Sequence, residues 1–466
     1  MPGGRNLAYA TRVRSGPELR ELSAEQFTAE LDALTRIYAL AMDAPAAELP
    51  GRAAIMERFC SEFERRGAEI ATGLSWQMGR PIRFAPSEVR GTLERARYMS
   101  GVASTALADF DAGPKEGFRR FIRREPLGVV FTVAAWNYPY LIAVNSVVPA
   151  LMAGNAVVLK HSAQTPLCAE VFAQCFAAGG LPAGLFQVLH LTHADTEAVI
   201  RDPRVDFVAF TGSVAGGRAV QRVAAERFIG VGLELGGCDP VYVREDADLA
   251  HAIENIVDGA YFNSGQSCCG LQRIYVHESV YEPFTRGCIE LIRQYRLGNP
   301  LDPDTTLGPL VRTAAADTVR AQVRAAVEAG ARPAIEEYEF QKSSPGTSYL
   351  APQLLLDAPP GSAVMREEIF GPVAGVRKVR SDDEAVAQMN DSAFGLTAAV
   401  WTRDPQAAEA LGARVETGTW FMNRCDYLDP ALAWVGVKDS GRGCTLSRVG
   451  YEHLTRPKSF HLRTKI

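Results

Sequence analysis

A short stretch in the middle of the chain carries two adjacent thiols in a turn-forming sequence. It spans residues 262–270, reads FNSGQSCCG, and has Cys268 and Cys269 near its end. A thiol is a good nucleophile only when ionised, and an electropositive, partly exposed setting lowers its pKa from about 8.5. Gly265 gives the backbone freedom to turn there. Two interpretations remain open from this stretch alone: Cys268 is a nucleophile, or both cysteines are small buried hydrophobic residues.

Polar residues follow two apolar runs in the first half of the chain. Lys160 comes directly after residues 156–159, and Gly212 and Ser213 follow residues 207–210. Ligands of parallel sheets bind beyond the carboxyl ends of the strands, and the N-termini of helices bind anions. A cation at one strand end and helix-opening amides at the next therefore predict a phosphorylated cofactor.

The elements that must position these residues alternate between strand and helix patterns, which predicts an α/β fold with a parallel sheet covered on both faces. Predicted strands cover residues 127–134, 156–159, 186–189, 207–210, 231–235, 274–276, 373–379, 396–401 and 418–422, and predicted helices cover residues 27–38, 138–152, 166–178, 249–262 and 280–295. Before the first strand, Met56, Phe59, Cys60 and Phe63 form an apolar helical stripe, which predicts that Cys60 lies in the core.

Composition excludes several classes of function. A chain of 466 residues is too long for one core and predicts two or three domains, and its net charge of −5 gives no reason to expect a nucleic-acid or membrane partner. Nine cysteines, an odd number without a C-x-x-C pair, favour the cytoplasm and no metal site. No charged residue occurs between Glu125 and Lys160, but prolines and asparagines interrupt that segment, which argues against a membrane span.

Four ordered stretches resemble the aldehyde dehydrogenase superfamily. They are WNYP at residues 136–139, LELGG at 233–237, GQSC at 265–268 and EEIFGP at 367–372. The separation of 34 residues between Glu234 and Cys268 (268 minus 234) is also similar to that family. Lys160, Ser213 and the late KDSG at 438–441 extend the resemblance from about residue 25 to the C-terminus.

The resemblance implies a Rossmann-like cofactor-binding domain, a second α/β catalytic domain and a small β ribbon for oligomerisation. The implied bounds are 1–108 and 127–236 for the cofactor domain, 237–435 for the catalytic domain, 436–451 for a return segment, and 109–126 with 452–466 for the ribbon. The alternating aromatic and basic residues 118–124 favour an exposed ribbon, either a solvated hairpin or a subunit contact. A homodimer or homotetramer is the implied assembly.

The same resemblance implies oxidation of a small aldehyde by NAD or NADP. Cys268 would attack the aldehyde carbon, Asn137 and the Cys268 N–H would hold the oxyanion, and Glu234 would activate the water that hydrolyses the thioester. The residues implied at the cofactor are Trp136, Lys160, Ala163, Gly212, Ser213, Leu235, Glu368 and Phe370.

One departure from the family pattern bears on the cofactor. Ala163 stands three residues beyond Lys160, where NAD-preferring members usually have a Glu that binds the ribose. Without that carboxylate, repulsion of a 2′-phosphate disappears, and NADP becomes an expected cofactor beside NAD.

The resemblance also implies a substrate pocket. Its residues are Tyr138, Ile142, Asn145, Phe262, Ser267, Leu428 and Trp434. Semialdehyde-acid members often have arginines at the places of Asn145 and Phe262, so the sequence favours an uncharged aliphatic or aromatic aldehyde, although Arg424 offers a cation. The alternatives are a semialdehyde dehydrogenase, a CoA-acylating enzyme, which would usually lack Glu234, and a catalytically silent relative.

Overall fold

The computed structural model describes residues 49–466 and has the predicted α/β architecture. The helix predicted over residues 27–38 lies outside the described residues. The α-helices are Leu49–Arg65, Gly67–Met78, Ala85–Ala106, Pro139–Met152, Pro166–Ala178, His193–Arg201, Val214–Ala224, Leu249–Tyr261, Tyr281–Ile292, Thr313–Glu328, Ala363–Arg366, Asp382–Asn390 and Pro405–Gly412.

The first sheet has six strands and contains the predicted cofactor-side residues. Its strands, in spatial order, are Gly441–Arg442, Gly230–Glu234, Phe207–Thr211, Val129–Ala134, Ala156–His161 and Phe186–Val188. All neighbours are parallel except the first pair, in which Gly441 lies opposite Glu234. The order reverses between the strands that end at Ala134 and Thr211, and such a switch point opens a ligand crevice at the carboxyl edge.

The second sheet has seven strands and carries the thiol-containing loop at the start of one of them. Its strands, in spatial order, are Arg332–Pro333, Gln353–Leu356, Val373–Val379, Leu271–His277, Asp239–Val243, Thr397–Trp401 and Thr419–Met422. Only the first pair is antiparallel. Because Asp239–Val243 pairs with Leu271–His277, the segment after Glu234 and the segment containing Cys268 run into adjacent strands.

The exposed ribbon predicted from residues 118–124 is a three-stranded sheet. Phe118–Pro126 pairs with Phe110–Asp111 on one side and with the C-terminal strand Thr455–Arg463 on the other, both antiparallel. The rings of Phe121 and Phe460 stack across the ribbon with centroids 4.5 Å apart. A further two-stranded sheet joins Phe394–Gly395 to Val437–Lys438.

Element types are confirmed more often than element ends. The strand at Val373–Val379 and the helix at Pro166–Ala178 have the predicted bounds, but the helix predicted to reach residue 295 ends at Ile292. Lys160 lies within its strand rather than after it. The strand Asp239–Val243 and the helix Ala85–Ala106 have no predicted counterpart, because the strand opens with Asp-Pro and the helix buries polar residues that blur its apolar stripe.

The apolar stripe predicted on the helix Leu49–Arg65 lies in the core on the helical side of the first sheet. Met56, Phe59, Cys60 and Phe63 are the buried residues of Leu49–Arg65. The ring of Phe59 stacks on that of Phe176, with centroids 4.1 Å apart, in the neighbouring helix Pro166–Ala178. Within residues 49–466, no helix combines the length and the apolar run that crossing a bilayer requires.

We predict that Phe59→Ala lowers the free energy of unfolding by about 3–5 kcal/mol, since Phe59 is fully buried and its removal leaves a cavity. The matched control is Phe228→Ala, because the Phe228 side chain is fully exposed and its loss should change stability by less than about 0.5 kcal/mol. Urea titrations of both variants measure the difference, and equal effects would contradict this account of the core.

Candidate active site

The loop that carries Cys268 is held in an unusual backbone conformation. After the helix Leu249–Tyr261, three consecutive residues have positive φ angles: Asn263 at 54°, Ser264 at 57° and Gly265 at 69°. Non-glycine residues rarely adopt this conformation, and it persists only where surrounding contacts enforce it. A Cβ atom on Gly265 would lie 2.1 Å from the carbonyl oxygen of Gly371, so only glycine fits there.

Side-chain amides and hydroxyls supply the enforcing contacts. Nε2 of Gln266 donates to the carbonyl oxygen of Asn263 over 3.0 Å, and Oε1 of Gln266 accepts from the N–H of Val311 over 2.8 Å. Oγ of Ser264 donates to the carbonyl oxygen of Gly308 over 2.8 Å. Two hydrogen bonds therefore fix the loop to the segment that precedes the helix Thr313–Glu328.

A buried guanidinium joins this loop to Asn137. Nε of Arg80 donates to Oδ1 of Asn263 over 3.2 Å, and Nη2 of Arg80 donates to the carbonyl oxygen of Asn137 over 2.6 Å. Nη1 of Arg80 pairs with the Glu88 carboxylate. The other oxygen of Glu88 accepts from the N–H groups of Tyr140 and Leu141, which caps the helix Pro139–Met152.

Two polar donors beside this network have no acceptor among the described residues. The Asn137 side chain is buried, yet it makes no hydrogen bond to residues 49–466. The backbone N–H of Cys268 likewise has no acceptor in that part of the chain. An oxyanion formed at Cys268 needs donors of this kind.

The thiol of Cys268 is half-buried and its pKa is raised well above its ordinary value. The first cause is its contact with the thiol of Cys269, and the second is burial. A nucleophilic thiol is expected to have a lowered pKa, whereas the pKa of Cys268 is raised. No cation among the described residues offsets the two effects. Cys269 is buried and lies 3.5 Å from Oγ of Ser267.

Glu234 ends its strand in a setting that favours the neutral carboxyl. Burial is the largest effect and raises the pKa of Glu234, while Thr445, Arg95 and Thr211 oppose the shift. The hydroxyls of Thr445 and Thr211 donate to its two oxygens over 2.5 and 3.4 Å. A carboxyl with a raised pKa next to a cavity is suited to take up and release protons.

Four of the predicted residues line one cavity, namely Glu234, Ile142, Asn145 and Trp434. Cys268, Leu428, Ile142 and Trp434 also pack within the large apolar cluster on this side of the molecule. The cavity is walled largely by apolar side chains with a few hydroxyls, including that of Thr445.

The remaining predicted pocket residues are placed by aromatic contacts. Tyr138 lies beneath the guanidinium of Arg80, whose Cζ is 4.6 Å from the ring centre. The ring of Phe262 packs against Phe84 at 5.5 Å. Arg424, the cation offered by the sequence, is exposed and stacks on Tyr427 at 4.1 Å.

The predicted cofactor residues surround a second cleft of about 940 Å³. Trp136, Lys160 and Ala163 line it together with His193 and Arg312. Lys160 is buried, and burial lowers the pKa of its amine, which has no hydrogen bond or ion pair to residues 49–466. A buried, unpaired amine facing a polar cleft fits a phosphorylated dinucleotide.

The other cofactor residues lie along both sheets. Ser213 caps the helix Val214–Ala224 by accepting from the N–H of Gly216 over 3.2 Å. A Cβ atom on Gly212 would lie 2.7 Å from the ring of Phe210. Because Gly212 has no side chain, the N-terminus of the helix that Ser213 caps can bind an anion.

Glu368 and Phe370 reach the site from the second sheet. Oε1 of Glu368 accepts from the N–H of Gly237 over 3.2 Å, and burial raises the pKa of Glu368 to about 7. The Phe370 ring meets Trp136 edge-on at 5.5 Å. Leu235 is buried, and its N–H donates to the carbonyl oxygen of Ser440 over 3.0 Å. Among the described residues, no group of three or more His, Cys, Asp or Glu side chains could hold a metal ion.

Comparison with known proteins agrees with this geometry. The model of the aldehyde dehydrogenase family matches residues 23–460. The chain belongs to the aldehyde dehydrogenase family. This confirms the fold class and the expected activity, the oxidation of an aldehyde by an NAD(P)-dependent enzyme.

Individual relatives match over most of their length. The NADP⁺ succinate-semialdehyde dehydrogenase of Mycobacterium avium (strain 104) is 35% identical over 399 residues, 85% of this chain and 84% of that protein. The protein of the same description from Mycobacterium leprae (strain TN) is 34% identical and covers 92% and 93%. The solved succinic semialdehyde dehydrogenase of Streptococcus pyogenes, in complex with NADP⁺, has a TM-score of 0.90 at 26% identity and covers 96% and 97%.

Several residues of the site are not predicted from the sequence. They are Arg80, Arg95, Arg312 and Thr445, none of which belongs to a motif of the sequence. Arg95 had a readable signal, because it falls among the apolar positions Leu93, Ala96 and Met99 of one helix. The other three come from segments that only the fold brings to the site.

We predict that Gly265→Ala lowers kcat more than tenfold, because the added methyl group would displace either the loop or Gly371. The control is Gly361→Ala, since nothing lies within 4 Å of a Cβ atom at that position. Steady-state kinetics and thermal melting of both variants give the comparison. Wild-type kcat in Gly265→Ala would show that the left-handed turn is dispensable.

Proposed function

We propose that this aldehyde dehydrogenase is of the hydrolytic type and releases a free carboxylic acid. Cys268 is the nucleophile, Asn137 and the Cys268 N–H bind the oxyanion, and Glu234 is the general base. The observation that carries the proposal is the pair of unused donors, which the Arg80 network holds next to the Cys268 loop.

The first step forms a bond between the Cys268 sulfur and the aldehyde carbon. The thiol proton passes to solvent as this bond forms, and the aldehyde oxygen gains the electron pair of the C=O bond. The Asn137 amide and the Cys268 N–H donate to that oxygen, each contributing roughly 3 kcal/mol in the transition state. Because the pKa of Cys268 is raised, proton removal and attack are expected to be coupled.

The second step oxidises the tetrahedral carbon to a thioester. A bound NAD⁺ or NADP⁺ would supply the hydride acceptor that this oxidation needs. Lys160 would bind the adenosine ribose of the cofactor, and Ser213 would bind its phosphates. Trp136 lines the cleft beside them, and the Phe370 ring packs edge-on against Trp136.

The third step needs a water molecule and a base. Glu234 takes a proton from water, the hydroxide attacks the thioester carbon, and the carbon–sulfur bond breaks to release the acid and restore the Cys268 thiol. Glu234 lines the cavity next to Ile142 and Asn145, and we propose that this cavity holds the water molecule. Enzymes of the CoA-acylating type usually lack this carboxylate, and its position here favours hydrolysis.

NADP⁺ is the cofactor that the lining of the second cleft favours. Its ten lining residues include two permanent cations, Lys160 and Arg312, and no Asp or Glu. Ala163 lies among them, at the place where a carboxylate would repel a 2′-phosphate. The Mycobacterium and Streptococcus relatives with NADP⁺ in their descriptions support this choice.

We also propose that the enzyme forms a homodimer or homotetramer through the ribbon, and that it works in the cytoplasm. The strand Thr455–Arg463 is exposed along almost all its length, with Leu462 on its surface. Such an edge is normally covered. All nine cysteines are free, which suits a reducing compartment.

We predict that Glu234→Gln forms about one equivalent of reduced cofactor per site and then stalls, because the thioester can form but water is not activated. Stopped-flow absorbance of the reduced nicotinamide measures the burst.

The control is Cys268→Ala, which should give no burst while it still binds the cofactor. Steady turnover by Glu234→Gln at the wild-type rate would remove Glu234 from the mechanism. A burst in Cys268→Ala would remove Cys268.

We predict that Ala163→Glu shifts the ratio of kcat/KM for NADP⁺ and NAD⁺ towards NAD⁺ by at least tenfold, through repulsion of the 2′-phosphate. Ala163→Gln is the control of equal size and should shift the ratio much less. Steady-state kinetics with both cofactors measures the two ratios. An unchanged ratio in Ala163→Glu would show that position 163 does not face the ribose.

A further inference from the structure

The cavity that Glu234 lines extends along one face of the six-stranded sheet. The strands that end at Thr211 and Glu234 are parallel neighbours, and at their amino ends Phe207 lies opposite Gly230. Successive side chains of a strand point to opposite faces, so Phe207 and Thr211 lie on the same face. Both of them line the cavity. The cavity therefore extends from Glu234 at the carboxyl edge towards the amino edge over roughly 13 Å, the length of four residues of parallel strand.

Small residues in the middle of these strands leave the cavity its space. Ala209 lies opposite Gly232, and both line the cavity. A Cβ atom on Gly232 would lie 3.3 Å from the Phe207 ring, and one on Gly443 would lie 3.3 Å from Cα of Gly232. Glycine weakens a strand and often marks a site that another group approaches closely. A larger side chain at position 209 or 232 would fill the space between Phe207 and Glu234.

A surface cleft borders the same cavity at the amino edge of the sheet. Four residues line both spaces, namely Phe207, Arg442, Gly443 and His453. The His453 side chain is exposed, so it borders solvent as well as the cavity. None of residues 262–270, which include Cys268, lines either space. These observations indicate a connection between Glu234 and the surface that does not pass the Cys268 loop.

The charges of the cleft are balanced. The ionisable side chains that line it are Asp206, Arg442, Glu452, His453 and Arg456. From outside the cleft, Arg124 pairs with Glu452, and Glu125 lies 4.0 Å from Arg456. Carboxylates and guanidiniums in equal number give the cleft no preference for an anion or a cation, so it suits water better than an ionic ligand.

Hydroxyl groups continue from Glu234 into the cavity. Thr445 and Thr211 donate to its carboxylate, and the hydroxyls of Thr132 and Ser146, which also line the cavity, lie 3.0 Å apart. A hydroxyl group both donates and accepts hydrogen bonds, so it can bind a water molecule in either role. The cavity therefore offers polar sites for water next to the proposed base.

We propose that the cavity and the cleft form a solvent route to Glu234 through the amino edge of the six-stranded sheet, and that His453 passes protons between this route and bulk water. This rests on the proposed function, in which Glu234 is the base for thioester hydrolysis. A histidine side chain can take up and release protons near neutral pH, which suits a position that borders both the cavity and solvent.

The hydrolysis step needs both an entry for water and an exit for a proton. It consumes one water molecule and yields a carboxylate, the Cys268 thiol and one proton. Glu234 takes a proton from water as the oxygen attacks the thioester carbon, the carbon–sulfur bond breaks, and the acid product reprotonates the sulfur. Glu234 then holds one proton that must reach bulk solvent before the next turnover. A route behind Glu234 lets water enter and this proton leave without passing the acyl group on Cys268.

The first test is His453→Gln, which keeps a polar side chain of similar size but removes the imidazole. The probe is 4-nitrophenyl acetate, which acylates Cys268 without the cofactor, so that 4-nitrophenolate release separates acylation from hydrolysis. Acylation should keep its wild-type rate, and hydrolysis should slow about tenfold, less than the 100-fold or more that loss of a direct general base brings. Added imidazole should restore hydrolysis, because a small base can enter the open cleft.

The second test is Ala209→Leu, which should fill the space between Phe207 and Glu234. It should slow hydrolysis by a similar factor, and imidazole should not restore the rate. His461→Gln is the control, since His461 is exposed and lines neither space. This variant should hydrolyse the acyl-enzyme at the wild-type rate, with or without imidazole.

Wild-type hydrolysis in both His453→Gln and Ala209→Leu would overturn the proposal. Slow hydrolysis in His453→Gln that imidazole does not restore would mean that His453 only supports the local structure, and this would also overturn it. If thermal melting shows that Ala209→Leu does not fold, the two measurements on His453→Gln decide. Wild-type hydrolysis in Glu234→Gln would instead contradict the proposed function, whatever the result at His453.

Discussion

The geometry of the site depends on one buried guanidinium. Arg80 is about 1% exposed and joins three segments that are far apart in the chain, those of Glu88, Asn137 and Asn263. Removing one partner of such a buried pair typically costs about 3–5 kcal/mol, because the remaining charge is left without compensation. The Arg80 network therefore sets the position of the proposed oxyanion donor Asn137 relative to the Cys268 loop.

Burial has a second consequence at the site, which concerns proton transfer. It contributes to raising the pKa values of Cys268 and Glu234, and it raises that of Glu368 to about 7. A raised pKa makes a carboxylate a stronger base, which suits a group that takes a proton from water during the reaction. The low polarity of the surroundings also strengthens the interaction between an oxyanion and its donors.

Two clefts without a common lining residue lie beside the six-stranded sheet. Glu234 and Trp434 line the cavity in which we propose that the reaction occurs. Lys160 lines the cleft that we propose for the cofactor. The edge-on contact between Trp136 and Phe370 connects the first sheet with the segment after Glu368. The proposed base Glu234 and the proposed cofactor residue Lys160 therefore line separate clefts.

The sequence alone predicted the fold class, most strand and helix types, and the motifs that carry Cys268, Glu234 and Asn137. These depend on local patterns, namely apolar periodicity and short ordered motifs, which are readable without contacts. The raised pKa of Cys268 was not predictable, because it arises from burial and from the neighbouring thiol in the folded state.

Only the tertiary structure decided which charges reach the site. Arg80 and Arg95 precede the first strand of the six-stranded sheet, and Arg312 follows the Cys268 loop by more than forty residues, so their spacing in sequence contains no information about the clefts. At position 145 the sequence shows a neutral amide, whereas the fold places the Arg95 guanidinium 3.1 Å from it. The sequence determined the reaction class through local motifs, and the packing of distant helices determined the electrostatics of the substrate pocket.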